Sequence, residues 1–187
     1  MSEFDDHALL AAHVAGDPDA FTELFSRHAD RLWALALRTL QNPADAEEVL
    51  QEAMLAAFRR AGSFRGQAAV GTWLYRIVLN ACFDRLRRAK ARPAYPGGLG
   101  EEVVAGLPSS QEGPEDMVVR RELVAEVERA LAGLGPDQRA ALILVDLEGR
   151  PVEEAAAILG CAPGTVKSRC SRGRARLAPL LKHLVEA

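Results

Sequence analysis

The densest chemical pattern lies near the C-terminus, where Thr165, Lys167, Ser168 and Arg169 follow the turn Cys161-Ala162-Pro163-Gly164. Hydroxyls and cations grouped this way can donate hydrogen bonds to base edges in a major groove. Arg169, Arg172 and Arg176 recur at i, i+3 and i+7, one face of a helix, and Arg174 adds a further cation. A bidentate arginine at guanine supplies ~1–3 kcal/mol of discrimination, while neighbouring cations suit phosphates. Before the turn, Val152 to Gly160 reads as a short amphipathic helix. Ala156 is small at the expected crossing, and Ile158, Leu159 and Val166 can fill a shared core. Spacing and turn together predict a helix-turn-helix.

A second pattern is Ser63-Phe64-Arg65-Gly66, a loop that precedes a helix bearing Asn80, Arg85 and Arg88. An aromatic to stack, an amide for base edges and arginines for backbone suit single-stranded nucleic acid. Phe64 serves equally well as a plug for its own loop. Trp73 shares register with Val70 and Ile77, which favours a core position over stacking. A third pattern, Asp45-Ala46-Glu47-Glu48-Val49-Leu50-Gln51-Glu52, places acids and an amide around an exposed strip near Met54, Leu55 and Phe58. By itself it reads as a solvated helix face. No phosphate-binding loop, dinucleotide fingerprint, nucleophile elbow or HExxH occurs, so the chain is expected not to be an enzyme. His7, His13, His28 and His183 are scattered, and no metal or cofactor is expected. Cys82, Cys161 and Cys170 have no CxxC spacing and read as small, inert, reduced thiols.

The elements that position these groups are helical. Asp5 or Asp6 can cap a helix to about Ala15, and Asp17-Pro18 supplies the next cap and first-turn pair, opening a helix to about Leu40. Asn42-Pro43 restarts the chain as a third helix, which stops before Ala61-Gly62. A fourth runs from about Ala69 to Lys90. Residues 92–114 hold five glycines and four prolines and are expected to be a flexible linker. Beyond it the punctuation predicts helices near 115–132, 136–147, 151–160 and 164–184. Gly173, inside the last, is expected to cost about 1 kcal/mol against Ala and to loosen the C-terminal half. The expected fold is all-α: two small helical domains, 1–91 and 115–187, joined by the linker.

Composition agrees. Hydrophobic residues make up 49% and aromatics only 5% of the 187 residues, which favours packed helices. Net charge is −3, yet Arg85, Arg87, Arg88, Lys90 and Arg92 cluster against Asp84, and residues 167–182 carry six cations and no acid. Residues 93–119 carry five acids and no base. Two basic patches separated by an acidic stretch fit contact with DNA at two places. The acidic N-terminus lacks the pattern of a signal peptide and no apolar run reaches ~20 residues, so a cytoplasmic location is expected.

The order of these parts resembles the extracytoplasmic-function (group 4) family of RNA polymerase sigma factors over nearly the whole chain. The Asp45–Glu52 segment resembles the family's dock for the clamp helices of the largest polymerase subunit. The resemblance implies core-polymerase contacts from Asp45, Glu48, Gln51, Glu52 and Leu55. The Phe64 loop with Thr72-Trp73-Leu74-Tyr75-Arg76-Ile77 and Asn80 resembles the part that melts and reads the −10 element. It implies strand contacts from Ser63, Phe64, Arg65, Arg76, Asn80, Arg85 and Arg88, with Asn80 in the base pocket. Gly164 to Arg169 with Arg172, Arg174 and Arg176 is similar to the −35 reader, which implies duplex contacts from Thr165, Lys167, Ser168, Arg169, Arg172, Arg174 and Arg176. Also implied are a contact with the flap of the second-largest subunit and an anti-sigma factor that hides the polymerase-binding faces. The competing expectation is a helix-turn-helix regulator that binds an operator without polymerase.

Overall fold

The structure, a computed structural model, describes residues 3–91 and 114–184. The first half contains α1 (Glu3–Val14), α2 (Ala20–Leu40), α3 (Pro43–Arg60), a 3-10 turn at Ala61–Ser63 and α4 (Val70–Ala91). The second contains α5 (Pro114–Ala132), α6 (Pro136–Leu142), α7 (Val152–Leu159) and α8 (Pro163–Leu181), which ends in a 3-10 turn at Lys182–Leu184. Every element among the described residues is helical, in keeping with the all-α expectation. The expected 92–114 linker lies outside the described residues, apart from Pro114, which opens α5.

Local chemistry explains where the helices start. Asn42 is the N-cap of α3, its side chain accepting the Asp45 N–H at 3.1 Å, with Pro43 behind it. Two other expected caps need correction. The first helix begins at Glu3, ahead of Asp5 and Asp6, and the Asp6 carboxylate instead pairs with His28 at 2.8 Å. The second helix begins at Ala20, not Pro18. Asp17 still accepts the N–H groups of Asp19 (2.9 Å) and Ala20 (3.3 Å), so it caps the helix from one turn outside.

The helix expected over 136–147 also changes character midway. It passes at Ile143–Leu147 into a π turn, in which the Glu148 N–H reaches the Ile143 carbonyl at 3.0 Å. The wider turn lets the Arg150 N–H reach the Leu144 carbonyl at 2.9 Å, closing the segment on itself at Gly149.

α2, α3 and α4 pack as a three-helix core. Leu24, Leu32 and Leu35 of α2 meet Val49 and Ala57 of α3 and Leu74, Val78 and Leu79 of α4, all at 1% exposure or less. Each such leucine contributes ~1.5–3 kcal/mol of burial. In the second half, Leu142, Ile143, Leu144, Ile158 and Val166 form the matching core. Arg139, only 8% exposed, donates to the carbonyls of Leu131 (3.0 Å), Ala132 (2.7 Å) and Leu134 (3.0 Å), satisfying the end of α5. Its remaining arm reaches the Thr39 carbonyl near the end of α2, at 2.9 Å. A cation at two helix C-termini is favourably placed, because the unpaired carbonyls there carry partial negative charge.

Gly173 does the opposite of what its helix propensity suggests. It is buried where α8 crosses α6, and a Cβ at this position would stand 2.6 Å from Leu142 Cδ1 and 3.2 Å from its Cγ. Leu142 is itself 2% exposed and has no room to yield. The glycine therefore tightens the helix-turn-helix instead of loosening it. Gly173→Ala is expected to lower the thermal midpoint, with overpacking of ~1–3 kcal/mol outweighing the ~1 kcal/mol gained in propensity. A melt followed by circular dichroism checks the sign.

Candidate nucleic-acid and partner interfaces

The 3-10 turn at Ala61–Ser63 holds the loop after α3 in a fixed pose, with Ser63 Oγ donating to the Arg60 carbonyl at 2.7 Å. Between this loop and α4 lies a cavity of about 350 Å³, lined by Ser63, Phe64, Arg65, Gln67, Ala68, Thr72, Trp73, Arg76 and Ala157. Phe64 is half-buried, its ring tilted between His7 (centroids 5.4 Å apart) and Trp73 (5.3 Å). The two readings of Phe64 therefore coexist: it packs its loop and lines the cavity. Trp73 also does both, resting on the core while one side faces the cavity, where its register with Val70 and Ile77 favoured core alone. Arg65 and Arg76 are exposed at the cavity. Aromatic surface with guanidinium groups beside it is a stacking platform with an electrostatic lining. Asn80 is exposed one turn further along α4 and is not among the lining residues. Thr72, which opens the block likened to the −10 reader, lines the cavity as well, and so does Gln67, which no motif in the sequence singled out.

Arg85 and Arg88 lie further along the same helix. Arg85 is held by Asp45 and by Glu48 (3.1 Å), so a cation of one candidate site pairs with acids of another. The hydrogen bond that Arg85 donates to the Asp45 carboxylate raises the Arg85 pKa still further. Arg88 is exposed, with Nε 3.4 Å from the Asp84 carbonyl.

Elsewhere in the first half, α2 and α3 enclose an apolar groove of about 590 Å³. Phe21, Phe25, Trp33, Leu50, Leu55 and Phe58 contribute to its walls, with Glu47 and Gln51 also lining it. Leu55 and Phe58 are 56% and 49% exposed, an unusual condition for large apolar groups. Glu48, Gln51 and Glu52 are exposed alongside, while Asp45 is half-buried against Arg85. Met54, expected in the exposed strip, is 8% exposed and belongs to the core, because α3 turns that position toward its neighbours.

In the second half, Gly160 ends α7 in the left-handed conformation (φ 62°) and Pro163 starts α8, making the turn between two helices. Ala156, Ile158 and Val166 are buried at the crossing as expected, and Leu159 is half-buried. Lys167, Ser168 and Arg172 are exposed, and Thr165 is half-buried. Ser168 Oγ donates to the Thr165 carbonyl at 3.0 Å, and Arg172 Nε to the Ser168 carbonyl at 3.2 Å. Three arginines find partners within the domain: Arg169 with Asp137 (3.2 Å), Arg174 bidentate with Asp146 (2.9 and 2.6 Å) and Arg176 with Gln138 (3.3 Å). Cys170 is buried and Cys161 half-buried, and burial raises the Cys170 thiol pKa. Cys82 is pushed up to about 12 by burial in α4.

Residues 24–92 match the Sigma-70 region 2 family and residues 125–177 the Sigma-70 region 4 family. The chain is 50% identical over 182 residues to the ECF RNA polymerase sigma factor SigM of Mycobacterium tuberculosis, covering 97% of this chain and 87% of that one. It is 35% identical over 181 residues to the ECF RNA polymerase sigma-E factor of Escherichia coli, covering 93% of each. Among solved structures it is similar to CnrH in complex with the cytosolic domain of CnrY, with a TM-score of 0.70 at 27% identity over 96% of this chain and 98% of that one. It is also similar to the sigma factor RpoE of Bartonella quintana, bound there to the anti-sigma factor NepR. That match has a TM-score of 0.69 at 32% identity over 88% of this chain and 98% of that one.

The Arg85–Asp45–Glu48 cluster is partly open to solvent, so its effect on folding is small. Asp45→Ala is expected to change unfolding free energy by less than about 1 kcal/mol. Leu35→Ala, at a fully buried core position, is expected to cost ~2–5 kcal/mol. Urea unfolding of the two variants compares them directly.

Proposed function

The chain belongs to the extracytoplasmic-function family of RNA polymerase sigma factors, and on that premise we propose how its residues divide promoter recognition. It is a transcription initiation factor and not an enzyme: it binds core polymerase and directs it to promoters. The first half, 1–91, takes the polymerase and the −10 element; the second, 115–187, takes the −35 element.

The observation that carries the division is the aromatic cavity of the first half. An unpaired base of the non-template strand enters beside Phe64 and Trp73, with Ser63, Arg65 and Arg76 around it. Asn80, Arg85 and Arg88 then track the strand along α4. Stacking on an aromatic contributes ~1–3 kcal/mol per base, enough to favour the melted strand over the duplex at a weak step. In the second half, α8 enters the major groove by its first turn. Lys167, Ser168 and Arg172 are exposed for base edges and phosphates, with Thr165 at the helix start. Arg169, Arg174 and Arg176 are held by Asp137, Asp146 and Gln138, and the DNA competes with those partners.

The apolar groove with Leu55 exposed and Glu48, Gln51 and Glu52 beside it serves as the dock for the clamp helices. Asp45 sets its edge through Arg85. An anti-sigma factor competes for the same groove, as befits a fold similar to a sigma factor solved with an anti-sigma factor bound. The protein acts in the cytoplasm, where polymerase is; no described helix is long and apolar enough to cross a membrane.

Reconstitution with core polymerase on a library of genomic promoter fragments tests this reading. Run-off transcripts that depend on the protein are expected, with a shared −35 and −10 sequence upstream of their starts. Asn80→Ala is expected to relax the −10 preference and Arg169→Ala the −35 preference, a lost base contact weakening each by ~1–3 kcal/mol. Leu55→Asp is expected to abolish co-elution with core polymerase. Absence of both transcripts and co-elution for the unaltered chain leaves the operator-binding regulator as the better account.

A further inference from the structure

Of the two aromatic rings in the cavity wall, Trp73 is carried by α4 and Phe64 by the loop after the 3-10 turn. The Phe64 backbone is fixed, its N–H donating to the Ala61 carbonyl at 3.1 Å. Its ring turns about two side-chain bonds and needs neighbours to hold it in one orientation. One neighbour is Trp73, which lines the cavity with it. The other is His7, 5.4 Å away between centroids and tilted by 47°. His7 belongs to α1 and is not among the lining residues. It therefore meets Phe64 and not the occupant of the cavity.

α1 is anchored one residue before this contact. The Asp6 carboxylate accepts the His28 Nε2–H at 2.8 Å, and Arg27 Nη1 lies 3.5 Å from its other oxygen. The Asp6 and His28 side chains are 14% and 12% exposed, so water competes little for their hydrogen bond. His28 is enclosed from α4 as well. A Cβ on Gly71 would stand 3.3 Å from His28 Cε1, so a residue without a side chain lets the ring lie against the start of that helix. Asp6, His28 and Gly71 thus tie α1, α2 and α4 together beside Thr72 and Trp73. α1 also touches the 3-10 turn that sets the loop. Among its described side chains α1 buries only Leu10, so apolar packing alone would hold it weakly and the polar tie matters.

We propose that His7 is a positioning residue for the −10 strand: from α1, pinned by Asp6 on His28, it holds the Phe64 ring in the orientation that lines the cavity. The proposal rests on the sigma-factor reading for what Phe64 meets, but not for the packing of His7 upon it. With the ring held, a base stacks on a surface already in place, and the ordering cost falls on folding instead of on binding. Without His7, Phe64 also samples orientations that leave the cavity. Apparent strand affinity then falls with the fraction of chains still competent. Ring surface, not charge, supplies the contact, so another aromatic side chain at this position suffices.

The test uses the full chain. A 4-fluorophenylalanine in place of Phe64 reports the ring by fluorine magnetic resonance, and one narrow line is expected. His7→Ala displaces and broadens the line, and His7→Phe returns it to a single narrow one. His13→Ala serves as the control on the same helix, because His13 packs on Phe21 and Phe58 instead, with centroids 5.1 and 4.4 Å away. That variant leaves the line where it was. Function is read with holoenzyme and a fluorescent single strand covering the −10 element of a promoter identified by run-off. His7→Ala weakens strand binding about fivefold, the result of a competent fraction of about one fifth, and His7→Phe restores it. Since His7 acts through Phe64, His7→Ala in a Phe64→Ala background costs nothing more. Co-elution with core polymerase and binding to the −35 duplex stay parental, which a general loosening of the first half would not allow. A parental line in His7→Ala, parental strand affinity, or a further loss in the double variant overturns the proposal. No strand binding by the unaltered holoenzyme would count against the sigma reading alone, since the line is read without polymerase or DNA.

Discussion

Everything in this molecule depends on one helix meeting incompatible demands. α4 spans Val70–Ala91, and its inward face, with Leu74, Val78, Leu79 and Cys82, closes the core of the first half. Its N-terminal turns also form one wall of the strand cavity through Thr72, Trp73 and Arg76. Its C-terminal turns carry the basic patch from Arg85 onward. Thr72 and Tyr75, at the border of core and cavity, receive the second half through Glu154 and Arg150. Because the helix is rigid over ~33 Å, the position of any one of these features fixes the others. A shift large enough to reshape the cavity would disturb the leucines behind it, which is why the site is built on a helix and only its lip is a loop.

The electrostatics follow from the same economy. The chain is acidic overall, yet the residues assigned to DNA are mostly arginines, and several are occupied. Arg85 is held by Asp45 and Glu48, Arg169 by Asp137 and Arg174 by Asp146. These partly exposed pairs contribute little to folding. They lower the local positive potential of each patch while the chain is free, so stray duplex finds fewer unneutralised cations. Polymerase supplies the missing affinity by tethering both halves to one promoter, where each contact raises the effective concentration of the other. The acids beside Arg85 also belong to the candidate polymerase dock. Arg85 of the basic helix and that candidate dock are therefore in direct contact.

Much of this was legible in the sequence. Asn42-Pro43, Gly160 and Pro163 mark helix ends by chemistry that acts within a few residues, and each acts as expected. The helix-turn-helix was legible because small, apolar and basic positions recur at fixed spacing. What escaped is what depends on long-range packing. Gly173 looked like a weak point, since propensity is a local quantity and the approach of Leu142 is not. Met54 looked exposed because a strip of acids around it hid the inward turn of its own position. Trp73 was assigned to the core by register, and register has no way to express a side chain that serves core and cavity together. The seam of Arg150, Glu154, Thr72 and Tyr75 joins positions some eighty residues apart, and no pattern along the chain announces it.

The central claim is that one chain reads two distant promoter elements with the cavity of its first half and the α8 helix of its second. The most direct measurement is photo-crosslinking in a complex of core polymerase, this protein and a promoter. Photoreactive residues are placed singly at Gln67, on the cavity wall, and at Ser171, on α8. The account predicts that the Gln67 position crosslinks only to the non-template strand of the −10 element, and the Ser171 position only to the −35 duplex. Crosslinks from both positions to a single segment, or equal crosslinking of either to duplex without polymerase, would contradict it.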